Sequence, residues 1–95
     1  MEGNKQITKE LYWAFPKEIP LEEVPEYSRK FEKINELSIL QFDLSQTESI
    51  HSSFIGFLIY AKHILSSKGG KLYIIPSPAV AHILHLMNLK DYLLH

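Results

Sequence analysis

Two hydrophobic rhythms alternate along the chain. Within Ile7 to Phe15, the run Leu11-Tyr12-Trp13-Ala14-Phe15 is apolar and aromatic, the composition strands favour, and Pro16 and Pro20 punctuate its end. Leu21, Val24, Tyr27 or Ser28, and Phe31 then recur at helical spacing. Charged residues from Glu22 to Lys33 fill the other face, which predicts a helix over 21–34. Acid precedes base along it, as the helix dipole prefers. Pro25 inside that helix would remove a hydrogen bond and clash with the preceding turn. The pattern is satisfied if Pro25 takes the first helical position and 21–24 form a separate turn. Asn35-Glu36 turns the chain into Leu37, Ile39, Leu40 and Phe42, a mostly apolar run suited to the middle of a covered sheet. Asp43-Leu44-Ser45 opens a loop. The pattern is helical again from about Ser53 to Ser67, and Gly69-Gly70 stops it. Leu72 to Ile75 is the next strand, closed by Pro76. Ser77 is an N-cap, with Pro78 at the first helical position. Val80, Ile83, Leu84 and Met87 give one helical face, and Asn88 is a left-handed terminator. Tyr92 to Leu94 reads as a short edge strand.

Strands alternating with helices predict an α/β domain with a mainly parallel sheet and right-handed crossovers. Short loops and few elements suggest about four strands, with the helices largely on one face. At 95 residues the chain is expected to be one domain, 1–95, with residues 1–6 frayed. The formal net charge of -1 gives no bulk electrostatic reason to bind nucleic acid or an acidic membrane. The absence of cysteine excludes disulfides, Cys-zinc sites and thiol chemistry. No apolar run approaches the ~20 residues of a membrane span, and the first six residues lack a signal-peptide core. The expected location is cytoplasmic.

The central helix carries no charge on any face between Phe54 and Ala61. Phe54, Leu58, Ala61 and Leu65 form a stripe toward the sheet, but Phe57, Ile59 and Tyr60 do not all fit on it. Either other helices cover them, or they form an exposed patch that receives a partner. The stretch before this helix, Thr47 to Ser53, is rich in hydroxyls and bears one formal charge, Glu48. Ser52 and Ser53 stand at the helix start, among free backbone N–H groups and the positive end of the dipole. Either serine could cap the helix. Alternatively, a phosphate there would add close to two negative charges at a point able to hold them. His51-Ser52 is a weak nucleophile pair, because adjacent residues rarely aim at each other and no positioned acid is visible, so no enzyme is expected. His82 and His85 share one helix but lack a third ligand, so no metal is expected, and no cofactor motif occurs: Gly69-Gly70 is a turn, not a phosphate loop.

Asp43-Leu44-Ser45, then Ile50 to Gly56, a helix, Gly69-Gly70, a strand, and Ser77-Pro78-Ala79-Val80 follow one another in the order and spacing of the STAS domain. The chain therefore resembles the bacterial anti-sigma factor antagonists over roughly 37–94. His51 stands where that family has aspartate and Phe54 where it has glycine. The resemblance implies a non-enzymatic protein that binds an anti-sigma factor, itself a serine kinase, and is released when a helix-start serine is phosphorylated. By position that serine is Ser52, with Ser53 the runner-up. The implied contact surface comprises Thr47, Ser49, His51, Ser52, Ser53, Phe54, Phe57, Leu58, Ser77 and Pro78. The resemblance also allows an alternative: a STAS scaffold subunit that binds the ATPase of a lipid-trafficking transporter, with no phospho-switch. Histidine at position 51 would change the charge a kinase or other partner meets.

Overall fold

A computed structural model describes residues 9–34 and 39–94. Strands β1 (Glu10–Ala14), β2 (Ile39–Leu44) and β3 (Lys71–Pro76) form a wholly parallel sheet in the order β1-β2-β3. Between and after them lie helices α1 (Val24–Glu32), α2 (Ser52–Ser67), α3 (Pro78–Leu86) and α4 (Lys90–Leu93). The chain steps across the sheet in one direction, so two crossovers of the same hand put α1 and α2 on the same face. The burial alternation agrees. Trp13, Leu40, Phe42, Leu44, Leu72 and Ile74 are buried beneath the helices, while Tyr12, Gln41 and Tyr73 between them are exposed. Among the described residues the sheet has three strands rather than the expected four.

The missing strand is the C-terminal one. Asn88, at φ 62°, turns the chain after α3, and the Leu89 N–H closes back on the Leu84 carbonyl at 2.8 Å. The next residues form the short helix α4, which drives Leu93 into the core at 1% exposure. Asn88 and Gly69 both serve as left-handed terminators. At Gly69 (φ 82°) the N–H bonds the Ser66 carbonyl at 3.0 Å, and Gly70 N–H bonds that of Leu65 at 2.9 Å.

Pro25 is accommodated much as the pattern requires, with the turn ending one residue earlier and Val24, not Pro25, as the first helical residue. Leu21–Glu23 form a separate 3-10 turn, and Pro25 lies in the first turn of α1, where its missing N–H leaves no bond unmade. β2 runs on to Leu44, so Asp43 and Leu44 belong to the strand and the loop opens at Ser45. Leu44 is fully buried opposite Pro76, and that burial extends the ladder beyond Phe42. The expected start of β2 at Leu37, and the fraying of residues 1–6, lie outside the described residues.

The core is aromatic. Phe42 and Phe57 stack at 5.6 Å, Phe15 meets Phe54 edge-on at 5.2 Å, and Phe31 of α1 meets Phe57 edge-on at 6.2 Å. Both β2 and α1 thus claim Phe57, which explains why α2 is apolar beyond a single stripe. It packs on the sheet with one side and on α1 with the next. Phe57 is 3% exposed, and Phe54 and Leu58 are fully buried. Of the three residues considered for an exposed patch, Phe57 is covered by α1 and Ile59 is half-buried, while Tyr60 is 37% exposed and donates its hydroxyl to Glu32 of α1 at 2.9 Å.

Candidate functional site

Parallel strands bring three loops to one end of the sheet: 15–20 after β1, 45–51 after β2, and Ser77 after β3. Ligands and partners of open α/β sheets meet them at this carboxyl end. Hydrogen bonds join the loops into a continuous rim. The Thr47 hydroxyl donates to the Pro16 carbonyl at 2.8 Å. The Ser77 hydroxyl donates to the Thr47 carbonyl at 2.6 Å and accepts from the Val80 N–H at 3.0 Å, capping α3. Glu48 N–H donates to the Lys17 carbonyl at 2.8 Å, and Glu18 pairs with Ser49 in a parallel bridge. The side chains of Lys17 and Glu48 approach to 3.8 Å across the same seam. Between the β2 loop and the start of α3 lies a shallow groove of about 510 Å³, floored by Thr47 and Ser77 and edged by Gln46, Pro78 and Ala79.

Asp43 anchors the first turn of the rim. Its Oδ1 accepts from the Ser45 N–H at 2.9 Å, and its Oδ2 accepts from the Tyr12 hydroxyl. Hydrogen bonding from Ser45, then from Tyr12, holds the Asp43 carboxyl below its ordinary pKa. The same bond raises the Tyr12 phenol above its own.

His51, not a serine, occupies the N-cap position of α2, with extended backbone. Its carbonyl receives the Phe54 and Ile55 N–H groups at 3.0 and 3.1 Å. Its side chain makes no capping bond. Instead Nε2–H donates to the Ile19 carbonyl at 3.1 Å, tying the start of α2 to the first loop, while Nδ1 is buried without a partner. Ser52 and Ser53 follow as the first two helical residues, both exposed, and no acidic residue lies in that first turn. The expectation that one of them caps the helix is thereby corrected: the cap position precedes both.

Ser52, Ser53 and Gly56 share an exposed face at helical spacing, with Ser49 just before them. Gly56 has nothing within 4 Å of where a Cβ would stand. Internal packing therefore does not require glycine there, although glycine inside a helix is unfavourable by about 1 kcal/mol relative to alanine. Ser45, Gln46 and Ala79 are also exposed on the rim; Ser45 and Ala79 lie within motifs marked in the sequence, and Gln46 was not singled out there. The polar-loop character of Ser45 and Gln46 was visible; their closeness to Pro78 and Ala79 required the sheet.

Of the residues expected to meet a partner, Ser49, Ser52, Ser53 and Pro78 are exposed, and His51 is half-buried. Five others do not face outward. Phe54, Phe57 and Leu58 are core residues, and Thr47 (fully buried) and Ser77 (7% exposed) spend their hydroxyls joining the loops. These five support the rim from beneath. His82 and His85 are exposed on α3, and among the described residues no three His, Cys, Asp or Glu side chains group closely enough to hold a metal. No helix among the described residues is long and apolar enough to cross a membrane.

Fold and site together define a small parallel α/β domain with a hydroxyl-lined rim at the carboxyl end of its sheet. No family model, curated protein or solved structure matches the chain.

Proposed function

We propose that the protein is a non-enzymatic regulatory binder of the STAS type, whose rim engages an anti-sigma factor with serine-kinase activity and is released by phosphorylation of Ser52. The observation that carries this reading is the face made by Ser49, Ser52, Ser53 and Gly56. It is exposed, uncharged and free of capping duty, at the positive end of a 16-residue helix. The bare backbone at Gly56 admits close approach by another chain. A phosphate on Ser52 meets favourable helix-terminal N–H groups, so the fold tolerates it. The same phosphate changes the charge of the contact surface, so a partner matched to a neutral face is repelled. No rearrangement of the core is needed.

The test is a paired capture from native cells with Ser52→Ala and Ser52→Asp baits, together with phosphopeptide mapping of the endogenous protein. The reading predicts a kinase retained by the alanine bait and lost from the aspartate bait, with phosphate found at Ser52. Phosphate at Ser53 alone moves the switch by one residue. Equal retention by both baits and no phosphate under several growth conditions would remove the switch.

The second reading, a scaffold for a transporter ATPase, draws on a different surface. Leu86 and Met87 at the far end of α3 are 69% and 47% exposed. A partner seated there would be indifferent to charge at Ser52. Recovery of an ATPase by both baits supports this alternative.

A further inference from the structure

Among the described residues, no helix lies on the other face of the sheet. All-parallel sheets are almost always covered on both faces. Here the uncovered side chains form three rows across the strands, set by the register: Glu10, Ile39 and Lys71; Tyr12, Gln41 and Tyr73; Ala14, Asp43 and Ile75. Tyr12, Tyr73 and Ile75 are 56%, 46% and 39% exposed, among the larger exposed apolar side chains of the molecule.

The rows are self-complementary about an axis running along β2. A twofold axis parallel to the strands turns β1 of one copy over β3 of the other and keeps every row at its own level. Glu10 then faces Lys71 of the second copy, twice by symmetry, with Ile39 against Ile39 between the pairs. Tyr12 faces Tyr73, and small Ala14 faces bulky Ile75. A twofold axis across the strands would instead put Lys71 against Ile75 and Ile39 against Asp43, burying charge on hydrocarbon. Within one copy, Glu10 and Lys71 are two strands apart, about 10 Å, and do not satisfy each other. Neither takes part in an ion pair among the described residues. Asp43 is the one residue that meets its own copy unfavourably. Its carboxylate is already held by Tyr12 and Ser45 within its own chain.

We infer that this face is a homodimer contact, two copies packing sheet to sheet about a twofold axis parallel to the strands. Three strands at this spacing present only about 300 Å² per copy, well under the ~800 Å² per partner of a stable complex. The dimer is accordingly weak and forms at high local concentration. The face is separate from the serine-bearing rim, and the inference does not rest on the function proposed for that rim.

Sedimentation equilibrium of the full chain up to about 1 mM tests it, a range that reaches weak association. The wild type should show reversible dimerisation that weakens with salt. Glu10→Lys alone and Lys71→Glu alone each turn two attractive pairs into two repulsive ones and should weaken association about tenfold or more. The double exchange E10K/K71E should restore it. These positions are exposed, and circular dichroism checks that each variant folds. A chain that stays monomeric throughout overturns the inference, as does association indifferent to the single reversals or not restored by the double one. A different protein found on this face, with no self-association, overturns it too.

Discussion

Helices α2 and α3 both leave the carboxyl end of the sheet, and both begin beside serine, yet their serines have opposite fates. Ser77 precedes Pro78, takes the cap position and is buried, with its hydroxyl both donating to Thr47 and accepting from Val80. Ser52 and Ser53 follow His51, which holds the cap position on α2 while its ring reaches away to Ile19. The same residue type in nearly the same place is structural in one helix and available in the other. A helix-start serine is therefore not a site by type. What matters is whether the cap position has already claimed its oxygen.

The largest expected effect tests what lies beneath this comparison. Phe57→Ala removes a ring shared by β2 and α1 and should cost about 3–5 kcal/mol in chemical denaturation. A cost near zero would return Phe57 to the surface and dissolve the distinction between the outward and inward sides of α2.

The paired serine substitutions probe the comparison itself. Ser77→Ala removes a cap and strands the buried Thr47 carbonyl, so it should cost about 1–2 kcal/mol. Ser52→Ala and Ser53→Ala should each lie within about 0.5 kcal/mol of wild type, as exposed positions do. Equal costs at all three would end the contrast. Gly56→Ala should stabilise the free protein by about 0.5–1 kcal/mol, since open space meets the added methyl group. If the face receives a partner, the same variant binds that partner less well. Higher stability with unchanged binding would take Gly56 out of the contact.

The smallest effect concerns the turn that leads to the exposed serines. Because the Asp43 pKa is lowered in the folded state, its contribution to stability is present above the ordinary carboxylate pKa. It is lost as pH falls through the lower folded value. The difference in Tm between wild type and Asp43→Asn should therefore be constant near neutrality and shrink in acid. A gap that widens toward low pH would contradict the bonding seen at Asp43.

Most elements were legible because their signals are local. Pro25 demanded a turn before a helix, Gly69 and Asn88 marked left-handed stops, and Ser77-Pro78 announced α3. The site was only partly legible. Ser49, Ser52, Ser53 and Pro78 were recognised as outward residues, because loop and helix-start polarity is a local property. Periodicity alone had already set Phe54 and Leu58 toward the sheet and Ser77 at a cap, and only the resemblance placed them on the contact surface. The burial of Phe57 and Thr47 was not legible, because it comes from elements distant in sequence.

The chain's own pattern determined an α/β alternation, a parallel sheet and helices on one side, since hydrophobic periodicity and terminators act over a few residues. Only the tertiary structure decided that α1 lies over Phe57, that Leu93 enters the core on a helical turn and that β2 continues through Asp43 to Leu44. It also decided that, among the described residues, one face of the sheet is left without helices. Each of those outcomes depends on which distant surfaces meet, and apolar character states that a side chain is to be buried without stating against what.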